Sequence, residues 1–293
     1  MSESGSTLPR RQLGRYLREL RLQTGMTLAE AAQRIERSIS TLQRLETGQC
    51  DRIRLIDVRE LCGLYNADET ETDGVLGLAQ QASVKSWWHE FGNLIPDSFD
   101  VYMGLEAAAC RLTAYAPDAV PGILQTPGYA RALLHSALPE ESSEGIEQRL
   151  RLKMKRHGLI TRKRQPTELD VVVMQCALHR VVGGPKVMSP QLRYIADMST
   201  RPNISVRVLP FEAGIPLGDP MNQFTVLSFG VDKRGTDVEP PVVYLESYTG
   251  EMYLEKPDDV QRYYEAQRAL VDAALDENAS RTLLRQVAKE FSS

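Results

Sequence analysis

The chain of 293 residues is 42% apolar and 25% charged, the balance of a folded globular protein long enough for two domains with buried cores. Its opening, MSESGSTLPRRQ, lacks the apolar centre of a secretory signal, and no run approaches the roughly 20 apolar residues that span a bilayer, so a cytoplasmic location without membrane attachment is expected. The net charge of -4 is unevenly spread: residues 1–65 carry 11 Arg, no Lys and 8 acids, a basic surplus, while the remainder is acidic.

After a short polar start, Pro9 to Thr24 repeats apolar residues at three and four positions, Leu13, Tyr16, Leu17 and Leu20. This predicts an amphipathic helix with Arg11, Arg15, Arg18 and Arg21 on its wet side. Gly25 ends it. Thr27 with Glu30 three residues on reads as a capping box that opens a second helix, with Leu28, Ala31, Ala32 and Ile35 facing inward. Ser38 is the next cap, followed by a helix from Ile39 to Glu46 that Gly48 stops. Leu42 and Leu45 anchor that helix and leave Ser40, Thr41, Gln43 and Arg44 outside. Leu55 to Tyr65, with Val58, Leu61, Cys62 and Tyr65 at core spacing, and Glu69 to Ser83 complete an all-α, five-helix domain over residues 9–83.

Two short helices around a tight turn are the arrangement that lays a helix in the major groove of DNA. The third helix carries suitable chemistry. Gln43 can pair bidentately with adenine, Arg44 with guanine or a phosphate, and the hydroxyls of Ser40 and Thr41 with either. Ser38 presents a helix N-terminus to a phosphate. Thr27 and Arg37 complete the candidate DNA-binding set of Thr27, Arg37, Ser38, Ser40, Thr41, Gln43 and Arg44. Arg44 has an alternative, pairing with Glu46 or Glu30 inside the domain.

The run Leu28, Ala31, Ala32, Ser38, Ser40, Thr41, Leu42, Arg44, Leu45, Glu46 and Gly48 resembles the pattern of the XRE, or lambda-repressor-like, helix-turn-helix family, over about residues 10–80. Glu36 and Arg37 stand where that family has Gly and an apolar residue, which predicts a looser turn. The resemblance implies a transcription regulator that binds double-stranded DNA, commonly as a homodimer on paired half-sites.

Residues 84–293 predict a larger α+β domain, so the overall class is α+β. The aromatic cluster Trp87, Trp88 and Phe91 is either a packing element at the domain junction or a stacking or partner surface. Thr126-Pro127 starts a core helix with Tyr129, Ala130, Leu133 and Leu134. Ser142 to Arg164 is a long helix, acidic first and basic later. That order suits its macrodipole, so a solvated helix is favoured over a partner surface or a second nucleic-acid surface. Leu169 to Met174, Ile204 to Leu209, Phe224 to Phe229 and Val242 to Glu246 read as strands, with Tyr253-Leu254 as a further candidate. Helices follow from Pro257 to Leu275 and, capped by Ser280, to Phe291.

Several of these pieces, among them Leu105-Glu106, Val120 to Thr126, Gly128 to Leu134, Gly183 to Pro185 and Val243 to Glu246, resemble the domain of unknown function that commonly follows an XRE module in actinobacterial regulators. The resemblance implies a small partner protein encoded nearby.

Catalysis and metal binding are not expected. Cys50, Cys62, Cys110 and Cys176 form no CxxC pair, and Cys176 with His179 is a lone CxxH. No GxGxxG, P-loop or GxSxG occurs. Glu106 and Glu246 lie in apolar company and are expected as buried acids, either holding an arginine or binding a ligand, with the ion pair favoured. The resulting expectation is a DNA-binding regulator, without cofactor, controlled by a small-molecule effector or partner protein bound to the second domain. The alternative is an antitoxin-like protein-interaction module that uses DNA binding for autoregulation.

Overall fold

The computed structural model describes residues 7–50, 52–82, 97–231 and 237–292. The extreme N-terminus, the cluster Trp87, Trp88 and Phe91, and the junction near Ser83 lie outside the described residues. The chain divides into two compact units, Met1–Gly92 with Phe99–Leu105, and Asn93–Ser98 with Glu106–Ser293. The class is α+β: a helical N-terminal region, then a domain of mixed sheet and helices.

The first unit holds five helices, α1 (Thr7–Gln23), α2 (Leu28–Arg34), α3 (Ile39–Glu46), α4 (Leu55–Leu64) and α5 (Glu69–Ala82). Each buries the stripe that its spacing predicts. Leu13 and Leu17 of α1, Ala31 of α2, Leu42 of α3, Val58 and Leu61 of α4 and Val75 and Ala79 of α5 meet in one core. The stops are those expected from backbone freedom, since Gly25 and Gly48 both take φ 71.

α6 (Asp97–Ala108) follows, its Phe99–Leu105 stretch counted with the first unit, and the second unit is built on a six-stranded sheet. The strands are β1 (Arg111–Ala116), β2 (Glu168–Met174), β3 (Ile204–Leu209), β4 (Phe224–Ser228), β5 (Val242–Ser247) and β6 (Gly250–Leu254), in the order β3-β2-β1-β4-β5-β6. β1, β2 and β3 run parallel, and β4, β5 and β6 continue as an antiparallel meander.

The parallel crossovers need long connections, which α7 (Pro127–Ala137), α8 (Ser143–Thr161), α9 (Gln175–His179) and α10 (Pro185–Met198) supply. Two last helices, α11 (Pro257–Ala273) and α12 (Glu277–Glu290), close the unit. Val260 and Leu270 of α11 pack on the sheet face carrying Tyr115, Val172, Phe224, Val226 and Val243.

The sequence reading omits one strand and misplaces one helix cap. β1 lies at the centre of the sheet, yet its sequence, RLTAYA, has neither alternation nor a β-branched run to announce it. Five of its six residues are buried because neighbouring strands flank it on both sides. The cap of α12 is Asp276, whose carboxylate accepts from the backbone N–H of Ala279 at 2.8 Å. Ser280 is instead buried; its hydroxyl accepts from the N–H of Val208 in β3 and donates to the carbonyl of Leu275.

Candidate nucleic-acid interface

The α2-turn-α3 segment is fixed at both ends by its own side chains. Thr27 accepts from the N–H of Glu30 at 3.2 Å, and the Glu30 carboxylate accepts from the N–H of Thr27 at 2.8 Å. The Thr27 N–H and, at 2.8 Å, its hydroxyl both donate to the Glu30 carboxylate and hold that carboxyl below its ordinary pKa, the backbone bond contributing most. Ser38 caps α3, accepting from the N–H of Thr41 at 3.1 Å, with its hydroxyl also 3.0 Å from that of Ser40 and 2.8 Å from that of Thr41. Three hydroxyls are therefore gathered at the start of α3.

The turn between them is tight, contrary to the looseness expected from Glu36 and Arg37. Glu36 takes φ 54, the left-handed conformation that glycine adopts freely, and the N–H of Arg37 reaches back to the carbonyl of Ala32 at 2.9 Å. The C-terminal closure of α2 has been kept, with a glutamate in the strained position. Arg37 in turn grips α4: its Nε and Nη2 each donate to a carboxylate oxygen of Asp57 at 2.9 Å. Its guanidinium is thus bound to the domain's own framework.

α3 is held from behind by α1. Arg21 Nε donates to Glu46 Oε1 at 2.7 Å, Nη2 to Oε2 at 2.8 Å, and Nη1 to the carbonyl of Met26 at 2.8 Å. Both members of the pair are buried, which corrects the placement of Arg21 on the wet side of α1. Its bond to Glu46 raises the Arg21 pKa against the opposing effect of burial. The helix phase contained a signal for this, since Arg21 follows Leu17 by four residues on the inward stripe. Nearby, Gly14 lets α1 and α3 touch: a Cβ there would lie 2.5 Å from the carbonyl oxygen of Leu45 and 2.6 Å from that of Glu46.

With Leu42, Leu45 and Glu46 buried, α3 turns Ile39, Ser40, Gln43, Arg44 and Thr47 to the surface, and Thr41 is half-buried. Because Glu46 is engaged by Arg21 and Glu30 by Thr27, Arg44 makes no ion pair among the described residues. Of the predicted set, Ser40, Gln43 and Arg44 share one open face, Ser38 and Thr41 close its N-terminal end, Thr27 caps α2, and Arg37 serves α4. Ile39 is the exposed member that the sequence reading left without a role.

In the second unit the segment Val120 to Thr126 is a loop and a short 3-10 turn tied down by buried polar side chains. Gln191 donates to the carbonyl of Leu124 at 2.8 Å and accepts from the N–H of Thr126 at 2.6 Å. Gln125 donates to the carbonyl of Val120 at 2.8 Å. Beside the loop, Arg156 and Glu106 form a buried bidentate pair with both distances 2.6 Å. Arg156 thus departs from the solvated-helix reading of the basic run, and Glu106 takes the ion-pair role.

Glu246 does not share that role. It is exposed and accepts from Gln223 at 2.9 Å, because β5 turns it away from the core near the hairpin tip. Lys153, next to Gln125 at 3.5 Å, has its pKa pushed down to about 8, mainly by burial and then by the charge of Arg156. The four cysteines are free thiols. No helix among the described residues is long and apolar enough to cross a membrane.

A family model described as a helix-turn-helix domain matches residues 12–74, and one described as a domain of unknown function, DUF5753, matches residues 99–286. No curated protein and no solved structure matches the chain. The first match runs from within α1 through α4 to the opening of α5, and a helix-turn-helix domain points to DNA binding. The second covers more than half of the chain and nearly all of the sheet-bearing unit, from α6 into α12, so the chain belongs to the DUF5753 domain family and carries a helix-turn-helix domain ahead of that domain.

Proposed function

We propose that the chain is a cytoplasmic transcription regulator of the XRE kind and not an enzyme. It reads double-stranded DNA through the major groove as a homodimer on half-sites about one helical turn apart. The observation that carries this reading is the open row Ser40, Gln43 and Arg44 on a helix fixed from behind by Arg21, Glu46 and Gly14. Side chains that donate and accept at base edges are useful only when their helix is rigidly held.

In this reading the second unit supplies dimerisation and takes the regulatory input, from a small molecule or from a small protein encoded nearby. Its size beyond what dimerisation needs, and its resemblance to the C-terminal domains of actinobacterial regulators, support that part.

The test is binding of the full chain to the DNA upstream of its own gene at several salt concentrations. Replacing Gln43 and Arg44 together by alanine should lower affinity by at least ~10-fold, given about 1–3 kcal/mol for each good base contact. If Arg44 meets a phosphate, the salt slope should also fall by about one counterion. Unchanged affinity and footprint in that variant would refute the assignment of α3.

A further inference from the structure

We infer that Ile39 is a base-reading residue of α3: its side chain packs on the C5 methyl of a thymine one or two base pairs from the pair that Gln43 engages. The inference rests on the reading of α3 as the DNA-contacting helix and adds to it a base preference and a residue to which that preference belongs.

Ile39 is the apolar exception on a polar face. The outward positions of α3 and its C-cap are Ile39, Ser40, Gln43, Arg44 and Thr47, and Ile39 is 51% exposed. It takes no part in the core of its own unit. Even the partly buried apolar residues packed against that core, such as Met26, Leu28 and Ile53, do not include it. A β-branched residue in the first turn of an exposed helix also lowers local helix propensity, so helix formation alone does not favour it there.

Docked on DNA, the same position has a use. The N-terminal residues of a recognition helix approach base edges, and the thymine methyl is the apolar group that the major groove presents. Isoleucine is stiff at χ1, so its methyl groups are held in place and little rotamer freedom is lost on contact. Ile39 and Gln43 are four residues apart and lie above one another on the helix surface, about 6 Å along its axis. Side chains that close together can meet base pairs one or two steps of about 3.4 Å apart. Gln43 matches adenine by its amide, and Ile39 matches a thymine beside it, so the two together select a short A·T-containing step.

The experiment replaces thymine by uracil, which removes the methyl and leaves the pairing intact. A duplex is selected from a random pool by the full-length chain, and each thymine is then exchanged singly for uracil in competition binding with wild type, Ile39→Ala, Ile39→Val and Gln43→Ala. At one position near the base sensitive to Gln43→Ala, uracil should weaken wild type by roughly four-fold, the burial of one methyl.

Ile39→Ala should show a similar loss on thymine DNA and no further loss on uracil DNA, while Ile39→Val keeps most of the preference. An unchanged thermal midpoint for Ile39→Ala would exclude unfolding as the cause. The inference falls if no thymine is sensitive, or if uracil weakens wild type and Ile39→Ala equally; Ile39 is then a protein-contact residue or an idle one. If Gln43→Ala and Arg44→Ala also bind as wild type does, or if no duplex is selected, the assignment of α3 falls as well.

Discussion

Arg21, near the end of α1, and Glu46, the last residue of α3, face each other through two parallel hydrogen bonds of 2.7 and 2.8 Å with almost no contact with water. They are 25 residues apart in the chain, and their pairing sets where the C-terminal end of α3 can lie. A buried pair of this kind is costly to halve and much less costly to replace whole, because a single partner left behind is an uncompensated buried charge. Arg21→Met should therefore destabilise the unit by about 3–5 kcal/mol, whereas Arg21→Met with Glu46→Leu should recover most of that loss. Urea denaturation of the three proteins checks this; equal losses in the single and double variants would contradict it.

Gly14 should be intolerant of even one methyl group. A Cβ 2.5 Å from the carbonyl oxygen of Leu45 meets backbone, which cannot rotate aside as a side chain would. Gly14→Ala is expected to cost about 1–3 kcal/mol as α1 and α3 separate. DNA affinity should fall beyond what the stability loss explains, since the exposed face of α3 shifts with its support. Binding measured well below the unfolding midpoint separates the two effects.

Glu36→Gly should stabilise the protein. The backbone at φ 54 strains any residue with a Cβ, and the backbone bond from Arg37 to Ala32 preserves the turn after the change. A gain of up to about 1 kcal/mol is expected once the greater freedom of glycine in the unfolded chain is subtracted. Thermal unfolding with an unchanged helical signal is the measurement, and a loss of stability would show that the Glu36 side chain contributes more than its backbone costs.

Lys153 makes stability depend on alkaline pH. Its folded pKa, about 8, lies below the ordinary lysine value of 10.5, so between these values the unfolded chain binds the proton more readily. The burden of the charge is fully present below about pH 8 and is relieved as pH rises towards 10.5, which makes this residue's contribution to stability rise across that window. Lys153→Met should raise the Tm at pH 7, and the difference from wild type should shrink by pH 10. A difference independent of pH would assign the effect to packing alone.

The helical unit was readable because its rules are local. Caps at Thr27 and Ser38, stops at Gly25 and Gly48, and the inward stripe from Leu13 to Leu20 depend on residues within one or two turns. Arg21 was misread because charge suggests water, and its partner Glu46 comes from a different helix. Strands with a β-branched core, such as β2 and β3, were legible in the same way. β1 was not. What makes Arg111–Ala116 a strand is its pairing with β2 and β4, far along the chain, rather than any preference of its alanines. The outward face of α3 was legible as helix phase, but the isolation of Ile39 from the core emerged only once the neighbouring helices were placed.

The position of β1 also sets an order of events during synthesis. Arg111 pairs with Glu168 on one side and with Ser228 on the other, so the middle of the sheet waits for strands that leave the ribosome much later. The five helices of the first unit need no strand of the sheet: their longest-range pairing, α1 with α5, can form once α5 has been made, before β2 exists. The helix-turn-helix bundle can thus assemble on the nascent chain while the sheet that follows it is still without its central pairings.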